Sequence, residues 1–149
     1  MKIALATDHR GFKLKNMLGE YLQKKGYEII DFGTHTPESC DYTDYVYPAC
    51  KAVQARRADR AVILCYTGIG SCIAANKVKG IRAALAYSQK SAVFSRRHNN
   101  SNVLVLPSHF FTQESLRRVV IRWIRAEFEG GRHLRRVKKI RAIEEKENG

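Results

Sequence analysis

The hydrophobic positions change period several times along the chain, and each change marks a new element. KIALAT, at residues 2–7, reads as a first strand. Leu14, Met17, Leu18, Tyr21 and Leu22 then recur at helical spacing, and Lys24, Lys25 and Gly26 suit the C-terminus of that helix. YEIIDFG predicts a second strand, and DYTDYVYPACKAVQA a second helix containing Pro48. RAVILC is a short apolar run with no polar alternation, the pattern of a strand covered on both faces of a parallel sheet. SCIAANKV reads as helix, IRAALAY as a fourth strand, QKSAVFSRRH as a fourth helix and SNVLVLP as a fifth strand. QESLRRVVIRWIRAEF follows with an apolar stripe of Leu116, Val119, Val120, Trp123, Ile124 and Phe128.

Strands separated by helices imply right-handed crossovers and a parallel sheet with helices on both faces. The expected fold is α/β: a Rossmann-like three-layer α/β/α sandwich around a five-stranded parallel sheet, formed by residues 1–149 as a single domain. The order of the strands cannot be derived from the pattern. The last segment, GGRHLRRVKKIRAIEEKENG, begins with a Gly-Gly break and carries a narrow stripe of Leu134, Val137, Ile140 and Ile143. Its cations come first and Glu144, Glu145 and Glu147 last, opposite to the preference of a helix dipole. The segment at 132–147 is therefore expected to be an extending helix that carries cations to a partner subunit, with a frayed, exposed tail as the alternative.

Composition narrows the setting. The chain has 149 residues, 44% of them hydrophobic, enough for one domain with a full core. No secretory leader and no apolar run of membrane length is seen, so a soluble, cytoplasmic protein without membrane association is expected. Cys40, Cys50, Cys65 and Cys72 form no Cys-x-x-Cys pair and no zinc-ligand spacing, so free thiols and no metal are expected. The net charge of +13 favours anionic partners, from a nucleic acid to a small phosphate ester. Ten cations face three acids between Gln113 and Arg141, and most of them read as a solvated basic surface.

In an open α/β sheet the ligand sits beyond the C-terminal strand ends. Asp8-His9-Arg10-Gly11 follows the first strand, and Cys65-Tyr66-Thr67-Gly68-Ile69-Gly70-Ser71 the third. The fourth helix ends in His98-Asn99-Asn100. Each group alone is ordinary structure, since a buried cysteine is usually an inert small hydrophobe. Placed together on one edge of the sheet, they are expected to form a site. The glycine turn is neither a dinucleotide fingerprint, because Ile73 stands where the third glycine belongs, nor a Walker loop, because no Gly-Lys-Ser/Thr follows. Its backbone N–H groups, backed by the next helix, suit an oxyanion, including one that develops only during a reaction. A thiolate beside it could take a proton from carbon or attack a carbonyl.

KIALATDHRGFKLK, GYEIIDFGTHTPESCDYTDY, CYTGIGSCIAANKVKGIRAAL, SRRHNNSNVLVL and FEGGRHLRRVKKI together cover nearly the whole chain. In these blocks the sequence resembles the ribose-5-phosphate isomerase B family, which includes galactose-6-phosphate and allose-6-phosphate isomerases. The resemblance implies an aldose–ketose isomerase acting through a cis-enediolate with no metal or cofactor. It implies Cys65 as the base between C1 and C2, with Thr67 beside the reacting carbons. Gly68, Ile69, Gly70 and Ser71 then supply N–H groups to the enediolate oxygen. His98 opens the sugar ring, assisted by Asp8 and Tyr42, and Asn99 binds sugar hydroxyls. His9, Arg132 and Arg136 match phosphate positions, the two arginines coming from the partner of a homodimer; pairing of dimers into a tetramer stays open.

Two positions depart from the family. Tyr66 replaces the usual glycine after the cysteine, where it is expected to crowd or reshape the sugar pocket and to avoid positive φ. His109 stands where many members carry a phosphate-binding arginine. Ribose 5-phosphate and ribulose 5-phosphate are the expected pair. The alternatives are another sugar phosphate, such as galactose 6-phosphate or allose 6-phosphate, an unusual aldose, or a non-catalytic basic binding protein on the same scaffold. No recognised nucleic-acid motif supports the last.

Overall fold

The computed structural model describes residues 1–148. Five strands run parallel: β1 (Lys2–Thr7), β2 (Glu28–Asp31), β3 (Arg60–Cys65), β4 (Ala83–Leu85) and β5 (Val103–Pro107), in the spatial order β2-β1-β3-β5-β4. Six helices connect and follow them: α1 (Phe12–Lys24), α2 (Thr43–Gln54), α3 (Ile69–Ala75), α4 (Gln89–Asn99), α5 (Gln113–Arg125) and α6 (Arg132–Glu147).

The central strands are apolar on both sides because both sides are covered. Ile3, Leu5, Val62, Leu64, Leu104 and Leu106 face Leu18 and Leu22 of α1, Ala92 of α4, and Leu116, Val120 and Trp123 of α5. Ala4, Ala6, Ala61, Ile63, Val103 and Val105 face Val46, Ala49 and Val53 of α2 and Ala75 of α3. This two-sided burial explains why RAVILC shows no polar alternation.

Two helix boundaries and one helix face differ from the expected ones. The turn after β3 is shorter, because Gly68 adopts φ 76° and the helix starts at Ile69 rather than near Ser71. The helix of the apolar stripe ends at Arg125, since Ala126 is extended at ψ 138°, so Phe128 lies beyond it. In α1 the buried face is Lys15, Leu18, Gly19 and Leu22, leaving Leu14 and Tyr21 at its flanks. Lys15 is buried because its ammonium meets Asp31 at the end of β2 and the Asn16 side chain.

The end of α4 is fixed from below the sheet. Arg96 is buried and donates to Asn100 Oδ1 and Ser101 O. Ser101 in turn accepts from Trp123 Nε1 at 2.9 Å and shares a proton with Ser95 at 2.8 Å. Burial, together with the cations Arg60 and Arg82, pulls the Arg96 guanidinium down to about 10. Along α6 only His133 is buried, and Leu134, Ile140 and Ile143 are 41%, 47% and 63% exposed. That helix offers an apolar stripe which the chain itself does not cover.

Candidate active site

The helices that follow β1 and β3 leave on opposite faces of the sheet, α1 on one and α3 on the other. A crevice opens between the two strand ends, the usual place for a ligand in such a fold. The last ladder pair of β1 and β3 is Thr7↔Leu64, so Asp8 and Cys65 are the next residues outward. Both continue the alternation of Ala4, Ala6, Ala61 and Ile63, and their side chains meet. Cys65 Sγ donates to Asp8 Oδ2 at 3.6 Å, with each residue 6% exposed. The other Asp8 oxygen accepts from Arg10 N at 2.9 Å, capping the short 3-10 turn over His9–Gly11. That bond holds the carboxylate toward Cys65 and sets His9 beside it. His9 Nδ1 accepts from Cys40 N at 3.3 Å.

The turn after Cys65 has the shape expected of an oxyanion nest. At Gly68 any Cβ would lie 2.5 Å from Leu85 Cδ1, and φ is positive there, so glycine alone fits. At Gly70 a Cβ would lie 2.4 Å from Tyr42 Oη, which places the Tyr42 hydroxyl directly against the start of α3. Thr67 Oγ1 receives Ile69 N at 3.4 Å. The first N–H groups of α3 have no carbonyl one turn back to accept them. Ser71 Oγ is wholly buried with no hydrogen-bond partner among the described residues.

Tyr66 takes no positive φ, as expected. Its ring lies 4.6 Å from the His109 ring, with the Arg10 guanidinium 5.0 Å from its centre. The two departures from the family pattern are thus one contact, and Arg10 joins them. Nothing in the sequence linked Arg10 to either residue, because the contact bridges the ends of three strands.

His98 and Asn99 do not reach this edge. Helix α4 starts at the C-terminal edge of the sheet and runs back, so it ends near the start of β5. Cys65 pairs with Pro107 and Ala61 with Val103, so the two edges are four residues apart, roughly 13 Å at ~3.3 Å per residue. The expectation that one sheet edge gathers Asp8, Cys65 and His98-Asn99 within a single chain is therefore corrected by the direction of α4.

At the far edge His98 belongs to a second cluster. Its ring stacks on His133, 4.3 Å away and 8° from parallel, and on Phe94 at 4.9 Å and 13°. Glu129 Oε2 lies 3.7 Å from His98 Nε2 and 3.6 Å from His133 Nε2, while Glu129 Oε1 is paired with Arg97. Burial lowers the His133 imidazole below its usual range, and His98, Arg132 and Arg136 add to this against the opposing pull of Glu129. Arg132 and Arg136 are exposed, one turn apart on α6. Glu129 and His133 were not legible as site residues, although their i, i+4 spacing beside Arg132 was a usable signal. Of the remaining thiols, Cys40 lies 3.9 Å from His9 Nδ1, while burial pushes Cys50 up to about 12 and also raises Cys72.

Known proteins resemble the chain along its whole length. The Ribose/Galactose Isomerase family matches residues 3–140. Ribose-5-phosphate isomerase B of Escherichia coli (strain K12) is 42% identical over 147 residues, covering 99% of both chains. The structure of ribose-5-phosphate isomerase B of Clostridium thermocellum superposes with a TM-score of 0.96 at 46% identity, covering 98% of this chain and 99% of the other. That of Mycoplasma genitalium, with bound ribulose-5-phosphate, gives 0.93 at 40% identity, covering 97% and 96%. With fold, length and sequence in agreement, the chain belongs to the ribose/galactose isomerase family.

Proposed function

We propose that the chain is an aldose–ketose isomerase that interconverts ribose 5-phosphate and ribulose 5-phosphate. The observation that carries this reading is the buried Cys65–Asp8 contact at the mouth of the glycine turn. Asp8 is placed to accept the thiol proton. The thiolate of Cys65 then takes the proton from C2 of the open aldose and returns it at C1, while the hydroxyl proton of O2 passes to O1. The enediolate oxygen that develops between these steps faces the N–H groups from Gly68 to Ser71, with Thr67, Ile69 and Tyr42 lining the approach. No redox partner is needed, because the proton and electron pair stay within the substrate.

The far-edge cluster completes the site from a second copy. His98 of the partner subunit would open the sugar ring and Asn99 of the partner subunit would hold its hydroxyls. Arg132 of the partner subunit and Arg136 of the partner subunit would clamp the phosphate with His9. Support comes from the 13 Å separation (roughly, by strand rise) and from the exposed stripe on α6. Tyr66, His109 and Arg10 flank the same mouth.

Ribose 5-phosphate should yield ribulose 5-phosphate with the parent protein. Cys65→Ala should lower kcat by ~10²-fold or more while leaving the circular dichroism spectrum unchanged, as expected for a lost acid–base group. A parent that isomerises no sugar phosphate, or a Cys65→Ala variant with full activity, overturns the reading.

A further inference from the structure

We infer that Glu129 is a positioning residue that sets the orientation of His98 for the ring-opening step, a role that rests on the isomerase reading above. The geometry separates two degrees of freedom. The near-parallel stacks on Phe94 and His133 fix the plane of the His98 ring. Stacking does not choose between the two orientations related by a half-turn about the Cβ–Cγ bond, because a ring turned over in that way stacks equally well. Only a polar partner distinguishes the two and so selects the nitrogen that faces the sugar, and the Glu129 carboxylate, 3.7 Å from Nε2, is that partner. Nδ1 is then the nitrogen left for the substrate.

Glu129 is itself held on three sides. Its backbone N–H donates to Arg97 O at 3.0 Å, tying it to the last turn of α4. Arg97 engages Oε1, which reserves Oε2 for the two imidazoles. The charged groups facing the cluster are Arg97 from α4 and Arg132 and Arg136 from α6, all cationic. Glu129 is the carboxylate among them, so its removal leaves His98 with cationic neighbours and without that carboxylate. His133, which competes for the same oxygen, is buried at 7% exposure and disfavoured as a cation. Oε2 is thus shared by the two imidazoles, 3.6 Å from His133 Nε2 and 3.7 Å from His98 Nε2.

The test separates ring chemistry from proton transfer at carbon. Ribulose 5-phosphate has no free hydroxyl for a five-membered ring, so exchange of its C1 hydrogen with D2O reports the Cys65 step alone. Net conversion of ribose 5-phosphate reports ring opening as well. Both are followed by NMR on the full-length protein, with folding checked by thermal melts. Glu129→Gln should lower net conversion at least tenfold while C1 exchange falls less than twofold. Glu129→Asp should recover part of the loss. Equal loss of both rates, with the melt unchanged or lowered, overturns the inference in favour of a structural role; no loss of either overturns it as well. A parent that neither converts nor exchanges fails the isomerase reading instead.

Discussion

Tyr66 is expected to crowd or reshape the sugar pocket, and its ring lies tilted by 40° against His109 with the Arg10 guanidinium over it. The consequence is that Tyr66 and His109 cannot be read as two independent departures. Residues in contact share their effects, so substitutions at the two positions should be non-additive. In a cycle of Tyr66→Gly, His109→Arg and the double variant, kcat/KM for ribose 5-phosphate should show a coupling of at least ~0.5 kcal/mol. Simple additivity would show that the contact has no bearing on the site. Arg10 also explains how the mouth keeps a cation at hand although His109 itself is a weaker phosphate ligand than arginine.

Among the elements, α2 ends in a way that costs stability. Arg56 sits at φ 58°, and the bonds from Arg56 N to Val53 O and from Arg57 N to Ala52 O complete a Schellman turn. Glycine is the residue that this position favours, since a side chain in the left-handed region costs roughly 1 kcal/mol. Arg56→Gly should therefore raise the melting temperature by about 2–4 °C, as read by calorimetry. The elements themselves were legible in the sequence because buried parallel strands are continuous apolar runs and α5 carries an unbroken stripe. Strand order was not, since β1 and β3 are neighbours only through ladder pairs that leave no periodic trace. The Asp8–Cys65–glycine-turn half of the site was legible for the same reason as the strands: it follows their ends. His98 does not belong to that edge, and chain direction alone says so: residues just ahead of β5 adjoin its N-terminal end, whereas Asp8 and Cys65 follow the C-terminal ends of their strands. Lys15 was hidden, its burial depending on Asp31 across the sheet edge.

At the scale of the molecule, the proposed site falls into two unlike clusters at opposite edges of one sheet, around Cys65 and around His98. Homodimers place the same surfaces against each other twice, so each half of one copy can meet the other half of its partner. A Cys65→Ala chain and a His98→Asn chain should each be inactive alone. After mixing, unfolding and refolding together, half of the dimers should contain one of each, with one intact site of two. The mixture should regain about a quarter of the parent activity. Recovery of none would place both groups within one chain's site or exclude the shared arrangement.

The exposed stripe of Leu134, Ile140 and Ile143 has a kinetic corollary. If burying that stripe is what assembles the catalyst, rate per chain is not a constant of the polypeptide but a function of how crowded the solution is. On serial dilution the specific activity should hold steady and then collapse, with a lag on reconcentration set by bimolecular encounter. Newly made chains would thus begin as silent halves, and catalysis would switch on only when enough of them had accumulated to find one another.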